Sequence, residues 1–435
     1  MNTVILGGGS AGTSVAFFLR KLDKEMNITI IEKTKNLEYS PCAMPYVVSG
    51  EIAPREKIFL FDEGYYLDNR ITVRRNTSAL SIERQQKRVV LSDGCSIQYD
   101  KLIIATGSYP IVPGIKGIEH AIPFRSIADM DELIKKMGHS SRIAIIGAGL
   151  VGTELAYALS MTGKKVVIVE NKERVLSGML DSRMSEMVQK DMLERGVEIN
   201  KGVSISEILP GRLECGKTIL YDTLLYCTGF KANDALAVDA GLSTNNGIIV
   251  DDFLKTSDPD IYACGDCALT KNIVTGMSEP CMLGSNAVRQ AKAIARGITG
   301  DDGCFNGHVN ATITRLGNIY VGSVGITEEK VLLLGMRPIS AIYSGKVRSE
   351  YYPSDECITC FLLSDADGRI LGGQIVSGSN VSGWISTLSL AITSRMTVKE
   401  LSLLETCYNP ASASINDPLV SAAEIILSKI AAYSK

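Results

Sequence analysis

The chain has 435 residues, of which 45% are hydrophobic and 21% charged, the balance of a globular protein with ample core. Its formal net charge of -3 excludes a general nucleic-acid surface, which needs clustered Lys and Arg. At ~150 residues per domain the length is a prior for about three domains. No stretch reaches the ~18 apolar residues of a membrane helix. The opening MNTVILGGGSAG lacks the basic region, apolar run and cleavage site of a signal peptide, so a cytoplasmic protein is expected. The Cys count of 11, without a secretion signal, reads as reduced thiols rather than a disulfide framework.

The first elements form a βαβ unit: a strand at 3–6, the loop GGGSAG, a helix pattern through Arg20, and a strand at 28–32. Gly7 permits the tight turn, Gly9 lets the backbone approach a pyrophosphate, and Gly12 allows close helix–strand packing. The helix N-terminus, opened by Ser10 and Ala11, presents N–H groups to phosphates. Glu32 ends the second strand, placed to accept from ribose hydroxyls, and Lys33 follows it. Together these read as a flavin-type nucleotide fingerprint.

The next segment is YSPCAMPYVVSGEI, in which Cys42 stands alone. Residues 36–50 hold no second cysteine, and the position five residues on is Val47. A cysteine beside a flavin passes electrons to sulfur or oxygen. Without a neighbouring thiol, whatever resolves an adduct on Cys42 must come from the substrate or from water. Cys42 is expected near the start of a helix, with Pro45 in its first turn, where the helix N-terminus stabilises a thiolate. The competing reading is a buried, inert cysteine. The position right after the first nucleotide unit favours function.

Further along, Ala79 and the Ala105-Thr106-Gly107 turn that closes KLIIATG complete the candidate contacts of the first cofactor, and YPIVPGIKG reads as a domain exit. Residues 142–146, GAGLVG, a helix pattern through Met161 and a strand at 165–170 then repeat the opening unit. An ordinary crossover is the alternative, but the strand–glycine–helix context favours a second dinucleotide site. Gly147, Gly149 and Gly152 take the same roles, Leu150 and Val151 open the helix, Glu154 lies one turn in, and Glu170 is the ribose acceptor. A carboxylate there repels a 2′-phosphate and favours NADH over NADPH, while Lys172 and Arg174 would soften that preference.

LLYCTG, ending at Gly229, and GIIVDDFLKTSDPDIYACGDC (247–267) read as the return to the first domain. Asp266 sits at the end of a strand pattern and before a helix pattern. There it can hydrogen-bond a flavin's polyol chain, cap the helix, or do both. Cys264 and Cys267 have CxxC spacing, but no second ligand pair accompanies them and no metal site is expected. From about residue 310 the glycine fingerprints vanish. β-rich runs at 350–365 and 369–376 precede helices at 381–394 and 421–433, a third, α+β domain. Cys357 and Cys360 read as small core residues, and His120, His139 and His308 lie outside every motif.

Taken together, GGGSAG, YSPCAMPYV, LIIATG, GAGLVGTE, IYACGDC and CYNPASASINDPL make the whole chain resemble the single-cysteine branch of the flavin-dependent pyridine nucleotide–disulfide oxidoreductases. Within that branch it resembles coenzyme A disulfide reductases and the archaeal and anaerobe proteins called NADH oxidases. The resemblance implies an α/β fold: two Rossmann-like βαβ nucleotide-binding domains, for FAD (1–110 and 247–309) and NAD(P)H (111–246), plus a C-terminal α+β dimerisation domain (310–435). It implies electron transfer from nicotinamide through flavin to Cys42, a homodimer, and in the reductases CoA held on this cysteine as a mixed disulfide. A C-terminal tyrosine of the family reaches the partner subunit's thiol site; Tyr408 matches it, and Tyr352 matches a second such tyrosine, with Tyr351 competing for that assignment. For CoA phosphates and the thiol approach, Ser14, Arg20, Lys21, Ser40 and Arg70 are the candidates, the basic ones weighed against a solvated helix end.

Three departures matter. Peroxidases and many water-forming oxidases of this branch carry a histidine where this chain has Ser10, which weakens an oxygen or peroxide reading. Pro410 is followed by Ala411 and Ser412 rather than by a Pro-aromatic pair, implying a differently shaped thiol pocket. No rhodanese-like extension is expected. The leading expectation is an NADH-dependent reductase of a small disulfide or persulfide, CoA disulfide first. The alternative is an NADH oxidase in which Cys42 cycles through sulfenic acid. A flavoprotein redox sensor is a third reading, opposed by two intact fingerprints.

Overall fold

The structure, a computed structural model, describes residues 1–433. It divides into two compact units, Met1–Ile111 with Phe230–His308, and Val112–Gly229 with the chain from Val309 on. In the first unit the strand expected at 3–6 runs Asn2–Leu6 and lies at the centre of a five-stranded parallel sheet. The order across it is Ile261–Ala263, Lys101–Ile104, Asn2–Leu6, Asn27–Ile31, Ile71–Arg74. Side chains alternate across a strand with period two. Ile5, Ile30 and Ile103 therefore meet helices Ser10–Leu22 and Gly284–Ile298 on one face, while Val4, Leu6, Leu102 and Ile104 meet Ile82, Val89 and Leu91 of a three-stranded sheet on the other. With both faces covered, the strands read as apolar runs rather than alternating ones.

The second unit opens on the same plan. Its parallel sheet runs Glu198–Asn200, Lys165–Val169, Arg142–Ile146, Thr223–Tyr226, Ile122–Pro123. The same unit contains an antiparallel sheet ordered Thr312–Leu316, Ile319–Gly325, Ile370–Ser377, Cys357–Ser364, Ile339–Lys346, with helices Ser382–Thr393 and Pro418–Tyr433. Asp181, buried just before helix Ser182–Glu194, ties the two sheets together. It accepts from Gln374 Nε2 at 2.6 Å and from the Glu328 amide at 3.2 Å, while its own amide donates to Gln374 Oε1 at 2.8 Å. No helix among the described residues is long and apolar enough to cross a membrane.

Several expectations change. The sequence reading returns the chain to the first domain at 247, but Phe230–Ala232 already pairs antiparallel with Ser108–Pro110 and the first unit resumes at Phe230. No helix follows Asp266 directly: it lies in the single 3₁₀ turn Gly265–Cys267, and the strand Ala268–Lys271 comes next, held by pairing with Ser278–Pro280. Cys360 is core as expected, but Cys357, at the open end of its strand, is exposed. Arg20 is not a phosphate ligand. It is 6% exposed, and its guanidinium donates to five carbonyls: Asn69 (2.7 Å), Asp23 (3.1 Å), Lys24 (2.7 Å), Met26 (2.7 Å) and Arg70 (3.0 Å). Arg20 thus closes the end of the first helix onto the turn before strand Ile71–Arg74.

Arg20→Ala leaves those carbonyls unsatisfied and is expected to cost about 3 kcal/mol of stability. Arg20→Lys should recover little, because an ammonium cannot replace a planar five-donor fork. Lys21→Ala, at an exposed position, should cost under ~0.5 kcal/mol. Denaturant melts of the three variants check this, and equal losses for Arg20→Ala and Lys21→Ala would contradict it.

Candidate functional site

The two glycine loops are built alike, atom for atom. A Cβ on Gly7 would stand 2.2 Å from the Ala105 carbonyl oxygen, and one on Gly147 2.5 Å from that of Cys227. A Cβ on Gly12 would stand 2.0 Å from Gly7 O, and one on Gly152 2.1 Å from Gly147 O. The loop backbone is therefore pressed against the neighbouring strand end and its own helix, and both Gly7 (φ +112°) and Gly147 (φ +102°) take a conformation other residues avoid. Gly9 and Gly149 are the opposite case: a Cβ there meets nothing within 4 Å. Each precedes a helix, Ser10–Leu22 or Leu150–Met161, whose first turn receives no side-chain cap. An uncapped helix N-terminus beside a glycine with open space in front fits a pyrophosphate, whose oxygens take the first-turn amides.

The acids fall where the sequence places them. Glu32 Oε2 accepts from the Gly8 amide at 2.8 Å and Oε1 from the Thr34 amide at 2.8 Å. Glu170 repeats this with Ala148 (2.6 Å) and Lys172 (2.9 Å). Each carboxylate is fixed at the strand end by backbone donors with a lone pair left on each oxygen, as a ribose contact requires. Arg174 bonds Glu329, whereas among the described residues no such ion pair is seen for Lys172 or Lys33. Around Asp266, Ser108 Oγ donates to Oδ2 at 2.8 Å, and Thr106 Oγ1 donates to Asn233 O at 2.6 Å. Gly107 (φ +70°) and Gly229 (φ +101°) end the matching strands of the two units, and Ala79 begins strand Ala79–Glu83. Leu150 and Val151 form the first helical turn, as expected. Glu154 turns its carboxyl inward, accepting from Thr314 Oγ1 at 2.6 Å, and burial pushes it up to about 6 against the lowering effect of that hydroxyl.

Cys42 is exposed. It is the middle residue of the 3₁₀ turn Pro41–Ala43, which runs into the five-residue helix Met44–Val48 with Pro45 in its first turn. So short a helix offers little macrodipole, and the expected stabilisation of a thiolate by aligned peptides is correspondingly small. Ahead of the turn, the Ser40 amide donates to Ile58 O at 2.9 Å and Tyr39 pairs with Phe59, which pins the segment. That pinning buries a group the sequence reading passed over. Glu38, four residues before Cys42, is 5% exposed; its carboxyl accepts from the Thr13 hydroxyl of the first helix, and burial raises it against the lowering effect of the Thr13 and Ser10 hydroxyls. The only trace in the sequence is an acid close to a lone cysteine.

Of the remaining candidates, Ser14 is half-buried on the first helix and Lys21 exposed at its end. Arg70 is exposed, its guanidinium 3.8 Å from Glu25. In the second unit the phenols of Tyr351 and Tyr408 lie 2.6 Å apart, with Ser349 Oγ 3.3 Å from Tyr408. Bonds from Ser349 and Tyr351 hold the Tyr408 phenol below its ordinary value. Tyr352 instead stacks on Arg348, 5.8 Å from centroid to guanidinium. The geometry therefore joins Tyr351, not the expected Tyr352, to Tyr408.

Comparison with known proteins fits this geometry. Residues 1–291 match the pyridine nucleotide-disulphide oxidoreductase family profile, and residues 314–417 match that family's dimerisation domain. The chain is 32% identical to an NADH oxidase of Methanocaldococcus jannaschii, covering 99% of each. It is 27% identical to an NAD(P)H coenzyme A polysulfide/persulfide reductase of Pyrococcus horikoshii, over 97% of this chain and 98% of that one. Its fold superposes on an NAD-dependent persulfide reductase from A. fulgidus with a TM-score of 0.96 and 30% identity, over 99% of this chain and 84% of that one.

Two outcomes follow from the loop and from Glu154. Gly12→Ala, with its Cβ 2.0 Å from Gly7 O, should lower both Tm and flavin content. Gly9→Ala should keep its Tm but lose flavin, because the added methyl fills only the open space before the helix. Equal Tm losses in the two variants would contradict the assignment. For Glu154 the folded value of about 6 lies above the ordinary 4.5. Its contribution is therefore full below pH 4.5 and lost as pH rises through 6, about 2 kcal/mol in all. Glu154→Gln should abolish that part of the pH dependence of unfolding; an unchanged curve would rule it out.

Proposed function

Because the chain belongs to the pyridine nucleotide–disulphide oxidoreductase family, we propose that it uses NADH to reduce a low-molecular-weight disulfide or persulfide through Cys42, CoA disulfide being the first candidate. The observation that carries this is an exposed Cys42 on a pinned turn, in a segment without a second cysteine. FAD on the first loop and NADH on the second, when bound, supply the electron pair. The protein's own part is to hold Cys42 where an acceptor can enter and to leave its adduct for an external thiol to resolve.

The overall change is RSSR + NADH + H⁺ → 2 RSH + NAD⁺. The Cys42 thiolate attacks RSSR, forming Cys42–S–S–R and expelling RS⁻. Two electrons then break the new S–S bond and return the thiolate, with the second RS⁻ leaving. Each RS⁻ takes up a proton. A persulfide RSSH follows the same course to RSH and H₂S. Glu170 supports NADH over NADPH, since its position next to the loop disfavours a 2′-phosphate.

We also propose a homodimer formed through the C-terminal sheet and helices, supported by the match to the family's dimerisation domain and by the exposed apolar side chains of Leu390, Leu403 and Ile415. Tyr408, with Tyr351, would then act at the thiol site of a second copy, as the family resemblance implies. A second reading is the NADH oxidase, favoured by the name of the M. jannaschii relative. In it oxygen takes up one electron pair as peroxide, and the Cys42 thiolate takes an oxygen from peroxide to give sulfenic acid and water. A second pair returns the thiol and a second water, O₂ + 2 NADH + 2 H⁺ → 2 H₂O + 2 NAD⁺.

Cys42→Ser should abolish NADH consumption with CoA disulfide or persulfide while leaving flavin reduction by NADH intact. Disulfide turnover undiminished in Cys42→Ser would refute the mechanism. Oxygen consumption outpacing disulfide and persulfide turnover in the unsubstituted enzyme would select the oxidase.

A further inference from the structure

The chain that follows strand Lys165–Val169 is closed onto the second glycine loop at both ends. At one end Glu170 Oε2 accepts from the Ala148 amide at 2.6 Å, and at the other the Leu176 amide donates to Ala148 O at 2.8 Å. Leu176 is buried, and Ser185 Oγ donates to Val175 O at 2.6 Å, so the returning arm is fixed as firmly as the departing one. Arg174 lies two residues before Leu176, its Cα at most ~7.6 Å from that of Leu176. A phosphate on the 2′ position of a ribose held by Glu170 would meet this loop, and an arginine there is the group that accommodates it. The loop thus carries both an acid that rejects the phosphate and an arginine able to take it.

Where that arginine is held decides between the two. Arg174 Nη2 donates to the carboxylate of Glu329, the second residue of helix Glu328–Leu333. The helix is itself anchored: Thr327 Oγ1 accepts from the Lys330 amide at 3.3 Å, and the Glu328 amide donates to the buried Asp181 at 3.2 Å. Glu173, adjacent to the arginine in sequence, lies elsewhere, since a Cβ on Gly202 would stand 2.6 Å from its Oε1. Arg174 is half-buried, and its Nε is enclosed without a hydrogen-bond partner among the described residues. The planar fork, whose geometry suits a phosphate bidentately, is therefore occupied by Glu329 with one donor unused. Lys172, whose amide donates to Glu170 Oε1 at 2.9 Å, is exposed and offers a point charge rather than a fork.

We propose that Glu329 is a coenzyme-specificity residue: it holds the Arg174 guanidinium and so withholds from the 2′-phosphate of NADPH the donors this loop would otherwise present. The proposal rests on the reading of Glu170 as the ribose acceptor of a nicotinamide coenzyme. The preference for NADH then has two sources on distant stretches of chain. Glu170 repels the phosphate directly, and Glu329 competes with it for its cation. NADPH binds well in the fraction of molecules whose Arg174–Glu329 pair is open, and its apparent Kd rises as the inverse of that fraction. NADH carries no such phosphate and is indifferent to the pair. Glu329 touches neither coenzyme nor substrate and acts through Arg174, as a positioning residue.

The test follows anaerobic flavin reduction in the flavin-loaded enzyme, which needs no disulfide. Glu329→Gln, a surface substitution, should keep Tm, the limiting rate and the half-saturating NADH concentration. It should lower the half-saturating NADPH concentration about 3–5-fold, the range over which an exposed ion pair competes for its cation. In an Arg174→Ala background the same substitution should bring no gain. Without any reduction step, equilibrium binding of 2′-phospho-AMP should tighten by the same factor in Glu329→Gln, with AMP binding as before. Unchanged NADPH and 2′-phospho-AMP affinities in Glu329→Gln, or a gain that persists in the Arg174→Ala background, would overturn the proposal. A preference for NADPH in the unsubstituted enzyme sinks the Glu170 reading instead, and the response of 2′-phospho-AMP binding to Glu329→Gln still decides the role of Glu329.

Discussion

Close approach of a glycine backbone to a neighbouring carbonyl organises this molecule twice. Gly7 lies against Ala105 O and Gly147 against Cys227 O, where any Cβ would collide. Each contact fixes the angle at which the helix after its loop, Ser10–Leu22 or Leu150–Met161, leaves the sheet, and so aims an uncapped N-terminus at open space. It also sets the strand end bearing Glu32 or Glu170 beside the same loop, through the amides of Gly8 and Ala148. The candidate phosphate cradle and the candidate ribose acid are thus consequences of one steric constraint, repeated in both units.

The two copies then diverge in a way that matters for chemistry. In the second unit Thr153 only closes its helix turn, while in the first the equivalent Thr13 also meets Glu38. That difference brings a buried acid to the segment leading into Cys42.

Much of this was legible in the sequence, for physical reasons. Glycines that cannot bear a Cβ, an acid ending a strand and apolar runs buried on both faces all leave patterns in one dimension, so both loops, both acids and the lone Cys42 were found. What sequence missed depends on contacts between distant segments. Arg20 looks like a solvated helix end until five carbonyls from three to fifty residues away close around it. Glu38 looks like a surface acid until residues 58–60 pin its segment. Tyr351 and Tyr352 are adjacent in sequence and part only in the turn that turns one toward Tyr408 and the other toward Arg348. The return of the chain at Phe230 rather than 247 likewise rests on a pairing with residues 108–110 that no local pattern announces.

The central claim is that a single sulfur, on Cys42, carries the covalent intermediate. The most direct measurement is rapid quenching of the NADH-reduced enzyme with an isotopically labelled disulfide, followed by mass spectrometry of the cysteine-bearing peptides. The account predicts one labelled half-molecule, disulfide-bonded to Cys42, appearing and decaying at the rate of turnover. Label on another cysteine, or turnover with none on Cys42, would contradict it.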